Sequence, residues 1–387
     1  MIQRAFGAAT VIVEAFLKWS ETARVADRAK AANALARAYI RSGMGPDEKR
    51  AAMMAMTYLL DDPSPKVRLA LAEALSTASD VPRSIILSLA EDQAEISATV
   101  IMNSPVMTDD DFIELAGRGD SFRRSLIASR PQVSRLVSAA IAAVGDEPEI
   151  VLLLENRDNQ FAAATLRNIA RRHGKSSEVR SLLLDQGDLP ADVRHLLMQE
   201  VSEALSSHDL VRAIIGEGRA ARITREANEV GTLLIAGRAE EADIPALVEH
   251  LRAGCQLTPA FLMHALCAGR VDFIASVLVN LTGIEDRRVR AVLSTSRMHA
   301  VRALFEAAGL HRSISTVFVE ATLLLRRAAR SASATEQSIA AELLKRFRSS
   351  NGQRTAASDL MDQVEKLVIS EQRQIARSYA VEAVLAA

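Results

Sequence analysis

The chain has 387 residues, a formal net charge of −1, and 49% hydrophobic but only 4% aromatic residues. This composition favours closely packed helices with a core of Ala, Leu, Val and Ile over a β-sandwich, so we expect an all-α protein. The net charge excludes a global field that would attract nucleic acid or an anionic membrane, and two cysteines are too few for a disulfide framework.

The first segment contains one of the longest apolar runs, residues 5–13, which is far shorter than the roughly 20 residues that span a bilayer. Glu14 interrupts this run, and no small-residue cleavage site of a signal peptide follows it. Apolar positions then recur as far as Leu35 and Ile40, with polar residues between them. We therefore predict an amphipathic helix in this segment and a cytoplasmic protein.

A short phrase recurs along the first half of the chain, in which a β-branched or aromatic residue opens a helical run of apolar positions. The anchors of this phrase are Val67, Ile96, Phe122, Ile150 and Val179. The steps between neighbouring anchors are 29, 26, 28 and 29 residues. A helix pair of this length cannot bury its own apolar face and must stack on the next pair. We therefore predict an α-solenoid for residues 1–206.

Capping residues and prolines mark the helix starts in this array. Pro65 follows Ser64 at the expected first position of a helix, and three aspartates, residues 109–111, follow Thr108. We assign these acids to helix capping and to the helix dipole rather than to catalysis. The run at residues 150–154 resembles a strand, but it is short and isolated among helical patterns, so we predict a helix there.

A resemblance to a known family rests on the clearest repeat. Residues 59–75 read LLDDPSPKVRLALAEAL, and the segments FLKW (16–19) and ALARAY (34–39) precede them. These segments resemble the bacterial domain-of-unknown-function family 2336, whose repeats are similar to HEAT and leucine-rich-variant repeats. The later repeats depart from the pattern because no proline stands between residues 156 and 161. The resemblance implies a HEAT-like helical interaction scaffold and brings no catalytic residue.

Beyond residue 206 the helices no longer share a phrase, and we predict a second all-helical domain over residues 207–348. Its best-defined helix lies within residues 257–269, where Thr258 is the expected cap and Gly269 the expected end. Residues 349–387 are predicted to form a linker and an amphipathic helical tail. The apolar stripe of this tail either packs on the domain or contacts a partner or a second copy of the chain. It comprises Leu360, Val364, Leu367 and Val368.

No residue set in the sequence matches a known catalytic or metal site. His250, Cys255, His264 and Cys267 form the best cluster of metal-ligand types, but their spacing fits no standard zinc site. The chain contains no Gly-x-Ser-x-Gly, Walker or His-Glu-x-x-His motif. We therefore predict no cofactor, no metal and no enzymatic activity.

Charge is the strongest asymmetry along the chain. Residues 270–354 contain 14 basic and 7 acidic residues, whereas residues 1–206 contain 24 basic and 28 acidic residues. Clustered arginines hold carboxylates or phosphates through paired hydrogen bonds. The alternatives for this segment are a solvated surface, a site for an acidic protein and a site for nucleotide or nucleic acid. The candidate partner-binding residues are Arg287, Arg288, Arg290, Arg326, Arg327 and Arg330.

The sequence therefore favours a protein–protein interaction scaffold without enzymatic activity. A nucleic-acid-binding HEAT-like repeat protein is the first alternative, although base stacking requires aromatic side chains and the chain has few. An enzyme with a site between the two halves is the second alternative. A homo-oligomer formed through the C-terminal tail is compatible with the first hypothesis.

Overall fold

The computed structural model describes residues 15–16, 18–41, 43–295, 297–330, 338–347 and 356–385. Within these ranges the chain forms helices joined by turns and short loops, with no β-strand, so the predicted all-α class is confirmed. None of the described helices is long and apolar enough to cross a membrane. The chain divides into two compact units, residues 1–187 and 188–387.

The first unit is an array of short helices. Its described helices are α1 (Val25–Arg41), α2 (Pro46–Leu60), α3 (Pro65–Leu75), α4 (Arg83–Ala90), α5 (Ala94–Asn103), α6 (Asp109–Arg118), α7 (Ser121–Ala128), α8 (Arg135–Val144), α9 (Glu147–Glu155), α10 (Ala163–His173) and α11 (Ser177–Leu184). Residues 150–154 lie within α9, so the predicted helix there is confirmed.

The helices of the first unit stack in alternation. Each odd-numbered helix from α1 to α9 packs against the next odd-numbered helix, and the even-numbered helices pair as α2 with α4, α6 with α8, and α8 with α10. Consecutive helices also pack against one another along most of the array. This two-layer packing is the arrangement expected of an α-solenoid, because each helix pair buries its apolar face on its neighbours.

The repeat anchors fall at the starts of the odd-numbered helices from α3 to α11. Val67, Ile96, Ile150 and Val179 are buried, whereas Phe122 is 44% exposed. Phe122 occupies the second position of α7, and the buried side chains of α7 come later, in its last turn. The phrase therefore marks the start of α7 at Phe122, although this side chain lies on the solvent side of its helix.

Local capping explains the boundaries of these helices. The side chains of Asp120, Ser134 and Ser176 each accept a hydrogen bond from a first-turn backbone N–H, at 3.0, 3.2 and 3.4 Å. Asp111 accepts hydrogen bonds from both the backbone N–H and the hydroxyl of Thr108, at 2.8 and 2.9 Å. The predicted capping role of the acids after Thr108 is confirmed for Asp111.

The second unit has longer helices around one core. Its described helices are α12 (Ala191–Ser207), α13 (Asp209–Ile215), α14 (Glu217–Arg238), α15 (Ile244–Ala253), α16 (Pro259–Cys267), α17 (Val271–Thr282), α18 (Asp286–Ser294), α19 (Met298–Ala307), α20 (Arg312–Arg330), α21 (Ile339–Phe347) and α22 (Ala356–Leu385). Met263, Phe273, Phe305 and Phe318 are fully buried in this core. Thr258 caps α16 by accepting a hydrogen bond from the N–H of Phe261 at 3.2 Å.

The structure differs from the predicted organisation in two places. The predicted N-terminal helix is interrupted at residues 23–24, before α1 begins, and its residues 5–13 lie outside the described ranges. The first compact unit ends at residue 187 rather than 206, because α12 packs against α14 and α15. The alternative in which the tail packs on the domain is confirmed for Leu360 and Val364, which lie in the core of the second unit, where α22 packs on α16, α20 and α21. The predicted linker residues 349–354 lie outside the described ranges.

Candidate functional site

Four ion pairs between helices and turns of neighbouring repeats form a ladder along the first unit. Arg28 at the start of α1 donates two hydrogen bonds to Asp62, at 2.7 and 3.0 Å. Arg68 of α3 makes the same bidentate contact with Asp92, at 2.6 and 2.9 Å. Each pair joins one odd-numbered helix to the turn that precedes the next one. These arginines therefore hold neighbouring helices in register and are not free to bind a partner.

Two further ion pairs extend this ladder. Arg83 of α4 contacts Asp111 of α6, and the Nε–H of Arg124 in α7 donates to Glu149 of α9 at 3.3 Å. Burial by itself raises the pKa of Asp111 and of Glu149, but hydrogen bonds to each carboxylate outweigh it and hold both pKa values below the ordinary value. Both carboxylates are therefore ionised at neutral pH and unsuited to act as general acids.

Arginines near helix starts also have a structural role that the sequence analysis did not predict. The fourth residue of α1, α3, α7 and α11 is an arginine that donates to a carbonyl oxygen in the turn before its own helix. The distances are 2.8, 2.5, 2.7 and 2.7 Å. The residues are Arg28, Arg68, Arg124 and Arg180. The recurrence of arginine shortly after a helix start was the signal that would have predicted this anchoring.

Arg287 and Arg288 are two of the predicted binding residues that are exposed. They occupy the second and third positions of α18, and both side chains are exposed. Val289 and Leu293 anchor α18 because their side chains are buried in the core of the second unit. Within the described part of the chain, neither Arg287 nor Arg288 forms an ion pair.

Arg290 is not accessible in the same way. Its guanidinium donates to Asp286 at 2.8 and 3.0 Å, to Glu241 at 3.0 Å, and also to Asp272. The hydrogen bond with Asp272 is the largest of the interactions that raise the pKa of Arg290. Three carboxylates of the same chain therefore occupy this side chain, and we remove Arg290 from the candidate surface.

The second predicted arginine cluster does not join the first. Arg326 of α20 donates to the backbone carbonyl oxygen of Thr295, just beyond the C-terminal end of α18. Arg287 lies at the opposite end of α18, about 12 Å away at the helical rise of 1.5 Å per residue. Arg327 is exposed and engaged in an interaction, and the side chain of Arg330 lies outside the described part. The five predicted residues whose side chains the structure describes therefore do not form one site.

The candidate metal ligands are also separated. His250 Nε2 lies 3.1 Å from Nδ1 of the buried His195, Cys255 is exposed, and Cys267 is buried. The described residues contain no group of three or more side chains suited to hold a metal ion. Burial, with a smaller contribution from Glu371, raises the pKa of Cys267 to about 12, so its thiol is not a nucleophile at neutral pH.

A family comparison agrees with the resemblance in the sequence. The model of a family described as "Uncharacterised protein conserved in bacteria (DUF2336)" matches residues 96–357. This range includes most of the first unit's helices and most of the second unit. No curated protein and no solved structure matches the chain.

Proposed function

This chain belongs to the bacterial family DUF2336, and from that premise we propose that it is a non-enzymatic, HEAT-like helical scaffold of the bacterial cytoplasm. In this proposal Arg287 and Arg288 bind an acidic segment of another protein. The family description names no reaction and no ligand, so the proposal is argued from the surface of the second unit. Two free cysteines, one of them exposed, suit a reducing compartment.

The proposal rests on a difference in ion pairing between arginines near helix starts. In the first unit Arg28, Arg68 and Arg124 are each paired with a carboxylate of a neighbouring repeat. Arg287 and Arg288 lie in the first turn of α18 without such a pair, close to the positive end of the helix dipole. A positive charge there opposes the dipole by about 0.3–1 kcal/mol. These arginines contribute nothing evident to the fold, which supports a role in binding.

The chemistry of this pair favours a carboxylate partner over a nucleic acid. A guanidinium binds a carboxylate through two parallel hydrogen bonds, and neighbouring Asp or Glu residues would engage both arginines. Nucleic-acid binding of single strands uses aromatic side chains as stacking platforms. The residues of α18 include no aromatic side chain on which a base would stack.

The test compares captured proteins between two charge-reversal variants. R287E/R288E is expected to lose a specific protein with acidic segments when the tagged full-length chain is captured from native cells. R135E/R157E is the matched control, because both of its positions are exposed and it changes the net charge equally. Both variants are expected to keep the wild-type melting temperature. An identical set of captured proteins for R287E/R288E and the wild type would contradict the proposal.

The nucleic-acid alternative is tested by fluorescence anisotropy with labelled duplex and single-stranded DNA. Phosphate binding weakens steeply as the salt concentration rises, so it is strongest in low salt. We expect no saturable binding in low salt. Binding that falls steeply with salt and disappears in R287E/R288E would replace the scaffold proposal with the nucleic-acid one.

A further inference from the structure

The ladder of the first unit ends at α11 with an arginine that no carboxylate of the described chain pairs. α11 is the last helix of this unit, and it packs on α9 and α10. Its fourth residue is Arg180, which occupies the position that Arg28, Arg68 and Arg124 occupy in α1, α3 and α7. Each of those three arginines is paired with a carboxylate of the next repeat. The same arrangement is therefore present four times, and in α11 it lacks the acidic member.

The guanidinium of each paired arginine is used on two sides. Nη1 donates to a backbone carbonyl oxygen in the turn before its own helix, at 2.8 Å in Arg28 and 2.5 Å in Arg68. The opposite edge, formed by Nε and Nη2, donates to Asp62 in the first case and to Asp92 in the second. The arginine of α7 donates from the same edge to Glu149 at 3.3 Å. The carbonyl contact therefore orients a two-donor edge whose geometry fits a carboxylate.

Arg180 keeps the carbonyl contact. Its Nη1 donates to the backbone oxygens of Lys175 and Gly174, at 2.7 and 3.0 Å. Lys175 lies five residues before the arginine, as do the carbonyl partners of Arg28 and Arg124. Within the described ranges, Nε and Nη2 of Arg180 form neither a hydrogen bond nor an ion pair. This edge is therefore oriented as in the paired arginines, and the side chain is partly exposed.

An apolar side chain one turn further along α11 is uncovered as well. Residues four apart in a helix lie on the same side, so the fourth residue after each arginine faces the same neighbour as the arginine does. In α1, α3 and α7 this residue is a fully buried alanine, namely Ala32, Ala72 and Ala128. In α11 it is Leu184, which is 54% exposed. Arg180 and Leu184 thus mark the side of α11 on which, in those repeats, the next odd-numbered helix packs.

We propose that this side of α11, the α11 face, binds a helix of another protein that carries an Asp or Glu at its N-terminal end. The occupied copies in the same chain define this partner. Asp62 and Asp92 lie three and two residues before the first residue of α3 and of α5, and Glu149 is the third residue of α9. The carboxylate of the partner binds Nε and Nη2 of Arg180, and an apolar residue of the same helix covers Leu184.

The combination of these two side chains favours a helix over a free anion or a nucleic acid. An arginine edge binds a phosphate or a small carboxylate through the same paired hydrogen bonds. Neither of those ligands removes a neighbouring leucine from water, whereas an apolar residue of a helix does. An acid at the start of that helix is also stabilised by its own helix dipole. The α11 face lies in the first unit and is separate from Arg287 and Arg288 on α18.

A peptide of residues 91–103 is the probe, because it contains α5 and Asp92, which cover Arg68 in this chain. Its binding to the full-length protein is measured by fluorescence anisotropy of a label on the peptide. We expect saturable binding with a dissociation constant between about 10 μM and about 1 mM, because a short helix is marginal in water and must order on binding. The D92N peptide should bind about tenfold more weakly or worse, since it loses hydrogen bonds between charged groups.

Charge exchange tests the contact with Arg180. R180E should lose the wild-type peptide, and it should bind the D92R peptide more tightly than the wild-type protein does, because the exchanged charges again attract. R180K keeps the charge but not the two-donor edge, so it should bind the wild-type peptide more weakly than the wild-type protein does. L184E covers the case in which R180E disturbs α11. It leaves the carbonyl contact of Arg180 in place and should still lose the peptide, because it puts a charge into the apolar part of the contact.

Two matched variants control for charge and for surface position. R157E is the control for R180E, because Arg157 is an exposed arginine of the first unit and the change in charge is the same. L136E is the control for L184E, since Leu136 is a 66% exposed apolar residue of the same unit. Both controls should bind the peptide as the wild type does.

Several results would overturn the proposal. These are no binding of the peptide at about 1 mM, equal binding of the wild-type and D92N peptides, and undiminished binding by R180E. R287E/R288E should bind the peptide normally. Loss of the peptide in R287E/R288E but not in R180E would overturn the proposal for the α11 face and would support the role of α18 in binding acidic segments.

Discussion

Loss of Arg68 should destabilise the first unit far more than loss of an exposed lysine. Arg68 donates two hydrogen bonds to Asp92, at 2.6 and 2.9 Å, and a third to the carbonyl oxygen of Asp62 at 2.5 Å. The side chains of Arg68 and Asp92 are only 12% and 14% exposed. R68M removes all three hydrogen bonds and leaves a largely buried carboxylate without its cation.

The magnitude follows from the hydrogen bonds that are lost. A hydrogen bond to a charged group contributes about 1.5–3 kcal/mol, and Asp92 keeps one hydrogen bond from the N–H of Gln93. We expect R68M to lower the free energy of unfolding by about 2–3 kcal/mol, which is less than the loss for a fully buried pair. For a unit of this size the melting temperature should fall by about 4–12 °C.

Urea unfolding of R68M, D92N and the double variant R68M/D92N, followed by circular dichroism, measures the coupling between the two side chains. We expect a coupling of about 1–2 kcal/mol for residues in direct contact. K49M is the control, because Lys49 and Asp80 form a pair at 3.1 Å that is 38% and 79% exposed. K49M should lower the free energy of unfolding by less than about 1 kcal/mol. Equal effects of R68M and K49M, or no coupling, would refute the reasoning.

Four further predictions concern stability and reactivity. Burial raises the pKa of Asp92, but hydrogen bonds, chiefly from Arg68, outweigh it and lower this pKa. The stability that Asp92 adds is therefore present above about pH 4 and is lost as the pH falls through its folded pKa, a loss that acid titration of D92N should lack. Burial and the neighbouring His250 lower the pKa of His195 to about 4, so the unfolded state gains the proton first as the pH is lowered. Stability should therefore fall as the pH decreases from about 6.5 to about 4, and H195N should flatten that slope in pH-dependent urea unfolding. Replacement of the fully buried Phe318 by alanine should lower the free energy of unfolding, measured by chemical denaturation, by about 3–5 kcal/mol. In the native protein a thiol reagent should modify one cysteine rapidly, because Cys255 is exposed and Cys267 is buried; C255S should abolish the rapid phase.

Local sequence signals predicted the starts of α3 and α6 correctly. Pro65 begins α3, and the carboxylate of Asp111 caps α6. These signals act over three or four residues, within a single helix turn, so they can be recognised from the sequence alone. Phe122 shows what repeat spacing does not predict. The repeated phrase indicates where α7 begins but not which side of α7 faces the neighbouring helices.

The candidate site was predicted less well, for a different reason. The arginine pattern near residue 287 placed Arg290 beside Arg287 and Arg288 in one group. The structure separates them, because Arg290 binds Asp272 and Glu241, which lie 18 and 49 residues earlier in the chain. Such distant partners leave no trace in the local sequence.

The sequence by itself therefore determined the all-α class, the stacked first half and the membership of a family. Periodicity, capping and composition are properties of short segments, and they act before any long-range contact forms. Only the tertiary structure decided which arginines are engaged in ion pairs, which apolar stripes enter a core and which remain exposed. Pairing and burial depend on residues that are far apart in the chain and meet only when helices pack, so the surfaces available for binding emerge from the fold.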